Sequence, residues 1–125
     1  MVAVEVANRS GIEVEEDAAV ALACQVLAEE GVDEGELGLH FVGPEEMREL
    51  KRDHLGVDEA TDVLSFPIDR RDHLPDDLPR QLGDVVLCPA VVGDAWREPL
   101  VHGLLHLLGY DHGGEMDLRE EAYAL

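Results

Sequence analysis

The stretch HGLLHLLGYDH, His102 to His112, holds three of the chain's six histidines. His102 and His106 are four residues apart. On a helix that spacing puts both imidazoles on one face, separated by about 6 Å along the axis. Leu104, Leu105, Leu107 and Leu108 cover most of the remaining surface, so the helix is expected to be buried nearly all round. Two unpartnered imidazoles on one face of a buried helix would be costly. Gly109 tolerates positive φ and is a natural helix stop, after which the chain can turn back and bring His112 to the same point. Three neutral imidazoles with an open fourth position make a catalytic zinc arrangement. A structural zinc is more often closed by four ligands, cysteine among them, and no cysteine lies nearby. Nickel, cobalt or copper would suit the same nitrogens. The competing reading is three core histidines, each satisfied by hydrogen bonds.

The spacing H-x-x-x-H-x-x-G-x-x-H is that of the metzincin peptidases, which carry a glutamate directly after the first histidine as general base. Here that position is Gly103. Glycine cannot take a proton, so the ligand spacing is kept while the peptidase base is missing. Peptide hydrolysis is disfavoured unless another carboxylate substitutes.

The elements that would position these residues can be read from periodicity. VAVEVA alternates Val2, Val4 and Val6 as a strand does. From Val14 to Glu30, apolar residues recur at helical spacing, and Gly31 is a stop. ELGLHFV alternates Leu37, Leu39 and Phe41, with His40 on the opposite face as an ordinary strand residue. Pro44 opens a short helix with Glu45 and Glu46 in its first turn, where the dipole favours acids. VLSFPI is a third strand, and Pro67 marks it as an edge strand or strand end. A charged loop from Asp69 to Leu82 leads to a fourth strand, GDVVLC. Pro89 starts a helical turn running through Trp96, Pro99 starts the histidine helix, and Glu115 to Tyr123 reads as a last helix. Alternating strands and helices place the chain in the mixed α and β class.

A length of 125 residues suits one domain, residues 1–125, and is too short for two. No apolar run reaches the ~18 residues a membrane span needs. The N-terminus lacks the layout of a secretory signal, so a cytoplasmic protein is expected. Cys24 and Cys88 read as small core residues. The net charge of −20 repels polyanions at long range. Seven of the nine basic residues, Arg48, Lys51, Arg52, Arg70, Arg71, Arg80 and Arg97, nevertheless lie mid-chain. They form either a local basic face on an acidic body or scattered solvated charges.

VHGLLHLLGYDH resembles the signature of the YbeY family, bacterial rRNA-maturation endoribonucleases. TDVLSFP (Thr61 to Pro67) and LGDVVLC (Leu82 to Cys88) resemble that family's other signatures, and ANRSG and GGEMDLREE also fit. The similarity covers most of the chain. It implies an α+β fold of zincin-like type, a small mixed four-stranded sheet packed with about five helices, the histidine-bearing helix central. It implies one zinc ion held by His102, His106 and His112, and a metal-dependent endoribonuclease specific for single strands. The implied setting is 16S rRNA 3′-end maturation and ribosome quality control. The implied partners are ribosomal RNA, the small ribosomal subunit and, in some members, an Era-type GTPase, with no membrane. Two departures stand out. Many members carry an arginine six residues before the TDVLSFP threonine, where this chain has Leu55; Arg52 or His54 are candidate substitutes for holding RNA. Members also have a longer segment where this chain has only PAVVGDAWREPL.

A metal site of this kind brings water near pKa ~7 and neutralises charge on phosphoryl oxygens, so no side chain need supply all the basicity. Gly103 is then acceptable. It either leaves room for water or phosphate, or serves close helix packing. Asp111, next to the third histidine, is assigned an orienting role, with action as a base the alternative. Asp62 and Asp84 each begin a strand and either approach the site or serve the strand ends. Ser65 and Thr61 are candidate phosphate donors, Ser65 equally a buried strand hydroxyl. Tyr110 either stacks on a base or covers the ligand loop. Two other functions stay open: a zincin-type metallopeptidase, and a non-catalytic ribosome-assembly factor with a structural zinc.

Overall fold

The computed structural model describes residues 2–53, 63–68 and 81–109. Its elements run β1 (Val2–Asn8), α1 (Glu16–Glu29), β2 (Gly35–Phe41), α2 (Pro44–Asp53), β3 (Val63–Pro67), β4 (Gln81–Leu87), α3 (Pro89–Val92) and α4 (Arg97–Leu107). The four strands form one sheet in the order β1-β2-β4-β3. β1–β2 and β2–β4 are parallel, while β3 returns antiparallel along β4 as an edge strand, as Pro67 requires. The fold is therefore α+β with a mixed four-stranded sheet. Four helices lie among the described residues; the one expected over Glu115–Tyr123 lies outside them.

Strand alternation divides the sheet into two faces. Leu37, Leu39 and Phe41 of β2, Val85 and Leu87 of β4 and Val63 of β3 turn to one side. They join the buried residues of α1 (Ala19, Leu22, Ala23, Val26, Leu27) and of α4 (Leu100, Val101, Leu104, Leu105, Leu107) in the main core. The alanines of α1 let its backbone approach closely, and Gly31, at φ +82°, lets the chain leave the helix for β2. The other face is smaller. Leu64, Val86, Cys88 and Val42 pack there with Met47 of α2, and Leu50 and Phe66 close its edges. Cys88 is buried and Cys24 half-buried, both as free thiols.

On that second face, past the edge of α2, a polar chain crosses three elements. Asp84 Oδ1 lies 2.8 Å from His40 Nε2, and Arg9 lies against His40 Nδ1 at 3.5 Å. Arg9 Nη2 in turn donates to Glu46 Oε2 at 2.7 Å. Hydrogen bonding to Glu46 raises the Arg9 pKa, and the same bond holds the Glu46 carboxyl below its ordinary value. The pair is about half exposed on the arginine side, so it is worth little, about 0.2–1 kcal/mol. Its sign with pH is fixed: a carboxylate with a lowered folded-state pKa stabilises above its unfolded value and loses that contribution as pH falls through the folded one. Glu46→Gln should therefore lower stability slightly at pH 7. Denaturant titrations should show the gap to the parent closing as the pH drops below the usual glutamate range, near 4.3.

Candidate metal centre

α4 begins at Arg97, two residues before the proline expected to start it. Pro99 occupies the first turn, where backbone N–H groups have no acceptor inside the helix, so its missing donor costs nothing. The helix ends as its sequence suggests. Gly109 takes φ +101° and donates its N–H to the His106 carbonyl at 3.0 Å. Between these ends, Leu100, Val101, Leu104, Leu105 and Leu107 are buried, while His102 and His106 remain half-buried on one side.

The two imidazoles meet edge to face, with ring centroids 4.6 Å apart and planes at 81°. Nε2 of His106 is buried. His106 lies in the last turn of α4, where the negative end of the helix dipole favours a cation. The donor set suits a borderline-soft divalent ion: two imidazoles on one helix face, His106 in the last turn and His102 one turn before it. Among the described residues no group of three or more His, Cys, Asp or Glu side chains is placed to hold a metal ion. His112, assigned as third ligand, lies outside them, as do Asp111, Tyr110, His54, Leu55, Thr61 and Asp62.

The two roles weighed for Gly103 resolve into one. A Cβ built at this position would come within 2.9 Å of Cγ2 of Val63 and Cγ1 of Val85, and within 3.2 Å of Oγ of Ser65. Position 103 faces the sheet, and the missing side chain is what lets α4 lie on β3 and β4. Ser65 answers from the strand: its hydroxyl donates to the Gly103 carbonyl at 2.8 Å, pinning the helix between its two histidines. That bond occupies the Ser65 proton, leaving the oxygen lone pairs. Asp84 turns to the sheet's other face, toward His40, and does not approach the imidazoles. Arg52 is exposed in the last turn of α2, the helix covering that other face, so it and the imidazoles lie on opposite sides of the sheet. The His40–Asp84 contact was not read from sequence. Its partners are 44 residues apart on strands whose pairing is not local, and the signal available was a histidine on the polar side of an alternating strand.

The family model described as endoribonuclease YbeY matches residues 5–122, nearly the whole chain and all three histidines. The chain belongs to the endoribonuclease YbeY family. An endoribonuclease YbeY of Salinispora tropica is 41% identical, over 98% of this chain and 90% of its own length. One of Mycobacterium ulcerans is 38% identical over 98% and 78%. Both alignments, spanning 142 and 139 positions, are longer than this chain, so these YbeY relatives carry stretches that it lacks. Among solved structures, the solution structure of TM1509 from Thermotoga maritima superimposes with a TM-score of 0.53 at 24% identity, over 98% of this chain and 86% of that one, a likeness of fold.

Because position 103 is packed against two valines, Gly103→Ala should destabilise by about 1–3 kcal/mol through overpacking. Chemical denaturation should show it. A stability equal to the parent's would mean that α4 does not rest on β3 and β4 as described.

Proposed function

We propose that this chain is a zinc-dependent, single-strand-specific endoribonuclease that works in the cytoplasm on the 3′ end of 16S rRNA and in ribosome quality control. The small ribosomal subunit and an Era-type GTPase are its proposed partners. The observation that carries the reading is the paired, half-buried imidazoles of His102 and His106 on one side of α4, in a chain of the endoribonuclease YbeY family.

His102, His106 and His112 would hold the ion. Bound zinc supplies Lewis acidity, which acidifies water and offsets negative charge on a phosphoryl oxygen. The chain's own contributions are positional. The buried leucines of α4 seat the helix in the core. Ser65 and the contact at Gly103 hold the turn that bears both imidazoles. Asp111 is assigned to orient an imidazole, and Arg52, His54 and Tyr110 to contact RNA; Ser65, first a candidate phosphate donor, gives its proton to the Gly103 carbonyl and positions α4 instead. No helix among the described residues is long and apolar enough to cross a membrane.

The metallopeptidase reading is weakened by one observation. Residue 103, where the metzincin base would sit, points into the sheet between Val63 and Val85 and not toward the imidazoles' open side. A glutamate there would be buried among methyl groups. The assembly-factor reading is separated by activity. His106→Ala should retain its circular dichroism spectrum and its binding to small subunits, yet lose at least ~100-fold in cleavage of a single-stranded RNA, as expected when a transition-state charge loses its stabilisation. A chelator should do the same to the parent. Cleavage by the variant at the parental rate would remove the histidine helix from the reaction. Cleavage of an unstructured protein in place of RNA would favour the peptidase.

A further inference from the structure

A cleft of about 140 Å³ opens where the β1–α1 connection, the end of β2 and the α3–α4 connection meet. Phe41, Val92 and Trp96 give it apolar walls, and Glu13, Glu15 and Asp94 line it with carboxylates. It lies at the N-terminal end of α4. Six residues, about 9 Å of helix rise, separate Trp96 from His102, the nearer of the two imidazoles, and neither histidine lines the cleft.

Size and chemistry narrow the occupant. Pockets for nucleotide-sized or drug-sized ligands run from about 300 Å³ upward, whereas a cavity near 150 Å³ holds a single benzene ring. This cleft therefore takes one side chain's end group. Aromatic walls with a carboxylate rim select a cation. A planar guanidinium fits better than an ammonium, since it stacks on a ring and meets carboxylates with a fork of donors.

The chain already shows this recognition on itself. The Arg97 guanidinium sits 4.4 Å from the Trp96 ring centroid, with Nη2 3.7 Å from Glu15 Oε2. Arg97 does not line the cleft. Glu15 Oε2 also accepts the Trp96 indole N–H at 3.0 Å, which fixes the ring. Glu13 and Asp94 are exposed, and neither makes an ion pair among the described residues. They are the carboxylates left for an incoming cation. The net charge of −20 draws basic segments toward this surface and repels nucleic acid from it.

We propose that this cleft is a docking pocket for one arginine side chain presented by a basic segment of a partner protein. The inference does not depend on the nuclease reading. Trp96 is the chain's one tryptophan, so its emission reports on the cleft directly. The full-length protein would be titrated with a short Gly/Arg peptide lacking aromatic residues, and with the same peptide carrying citrulline for arginine. The expected result is a saturable change in Trp96 emission with the arginine peptide. Citrulline, or the double variant Glu13→Gln/Asp94→Asn, should weaken it at least tenfold. The charge-matched control Glu29→Gln/Asp33→Asn, with one change at the far end of α1 and the other just beyond it, should bind like the parent. Amide NMR shifts in the parent should cluster at residues 12–15 and 92–96, a readout that needs no variant. The proposal is overturned if emission does not saturate, if the control loses as much affinity as the cleft variant, or if the amide shifts spread over the acidic surface.

Discussion

Everything proposed for the histidines rests on the contact between one turn of α4 and the β3–β4 edge of the sheet. A helix carrying two half-buried imidazoles must still bury its leucines, and it does so only if its backbone comes close to the strands. Gly103 permits that approach, with the methyl groups of Val63 and Val85 in the space a side chain would need. The Ser65 hydroxyl then fixes the rotation of the helix by bonding to the Gly103 carbonyl. Rotation matters because it decides whether His102 and His106 share one half-buried side of the helix or are split between core and solvent. Among the described residues no polar or charged side chain is buried in the core.

The acidic composition sets the electrostatic terms on which RNA can be approached. The basic residues of α2, Arg48, Lys51 and Arg52, lie on the far side of the sheet from α4, and α4 itself contributes Arg97 at its first position. A strand of RNA reaching the imidazoles therefore meets a body of net negative charge, with positive charge offered in patches. Such an arrangement favours short-range contacts over long-range steering, because phosphates gain little from the protein's overall field.

Local features were legible in the sequence to the extent that they depend on neighbours in the chain. The alternation of Val2, Val4 and Val6 and of Leu37, Leu39 and Phe41 names both strands and the side each presents to the core. Gly109 marks the end of the histidine helix and takes the positive φ expected of it. The paired faces of His102 and His106 follow from spacing. What was not legible depends on strand pairing between distant segments. The order β1-β2-β4-β3 decides that Asp84 meets His40, not the imidazoles, and no periodicity within one strand carries that information. Gly103 belongs to the same class. Its residue type allowed either an open site or a close contact, and the valines that decide between them are 40 and 18 residues away in the chain. Pro99 shows a smaller effect: proline is equally at home at several positions of a first turn, so it located the start of α4 only to within two residues.

Whether the imidazoles of α4 share one ion is tested most directly by cobalt(II) titration of the metal-stripped protein. The visible absorption of low-coordinate cobalt bound by nitrogen should rise linearly and stop at one equivalent per chain, and should be absent from His106→Ala. An absorption that never levels off, or one that His106→Ala reproduces, would mean that these rings do not form a common site.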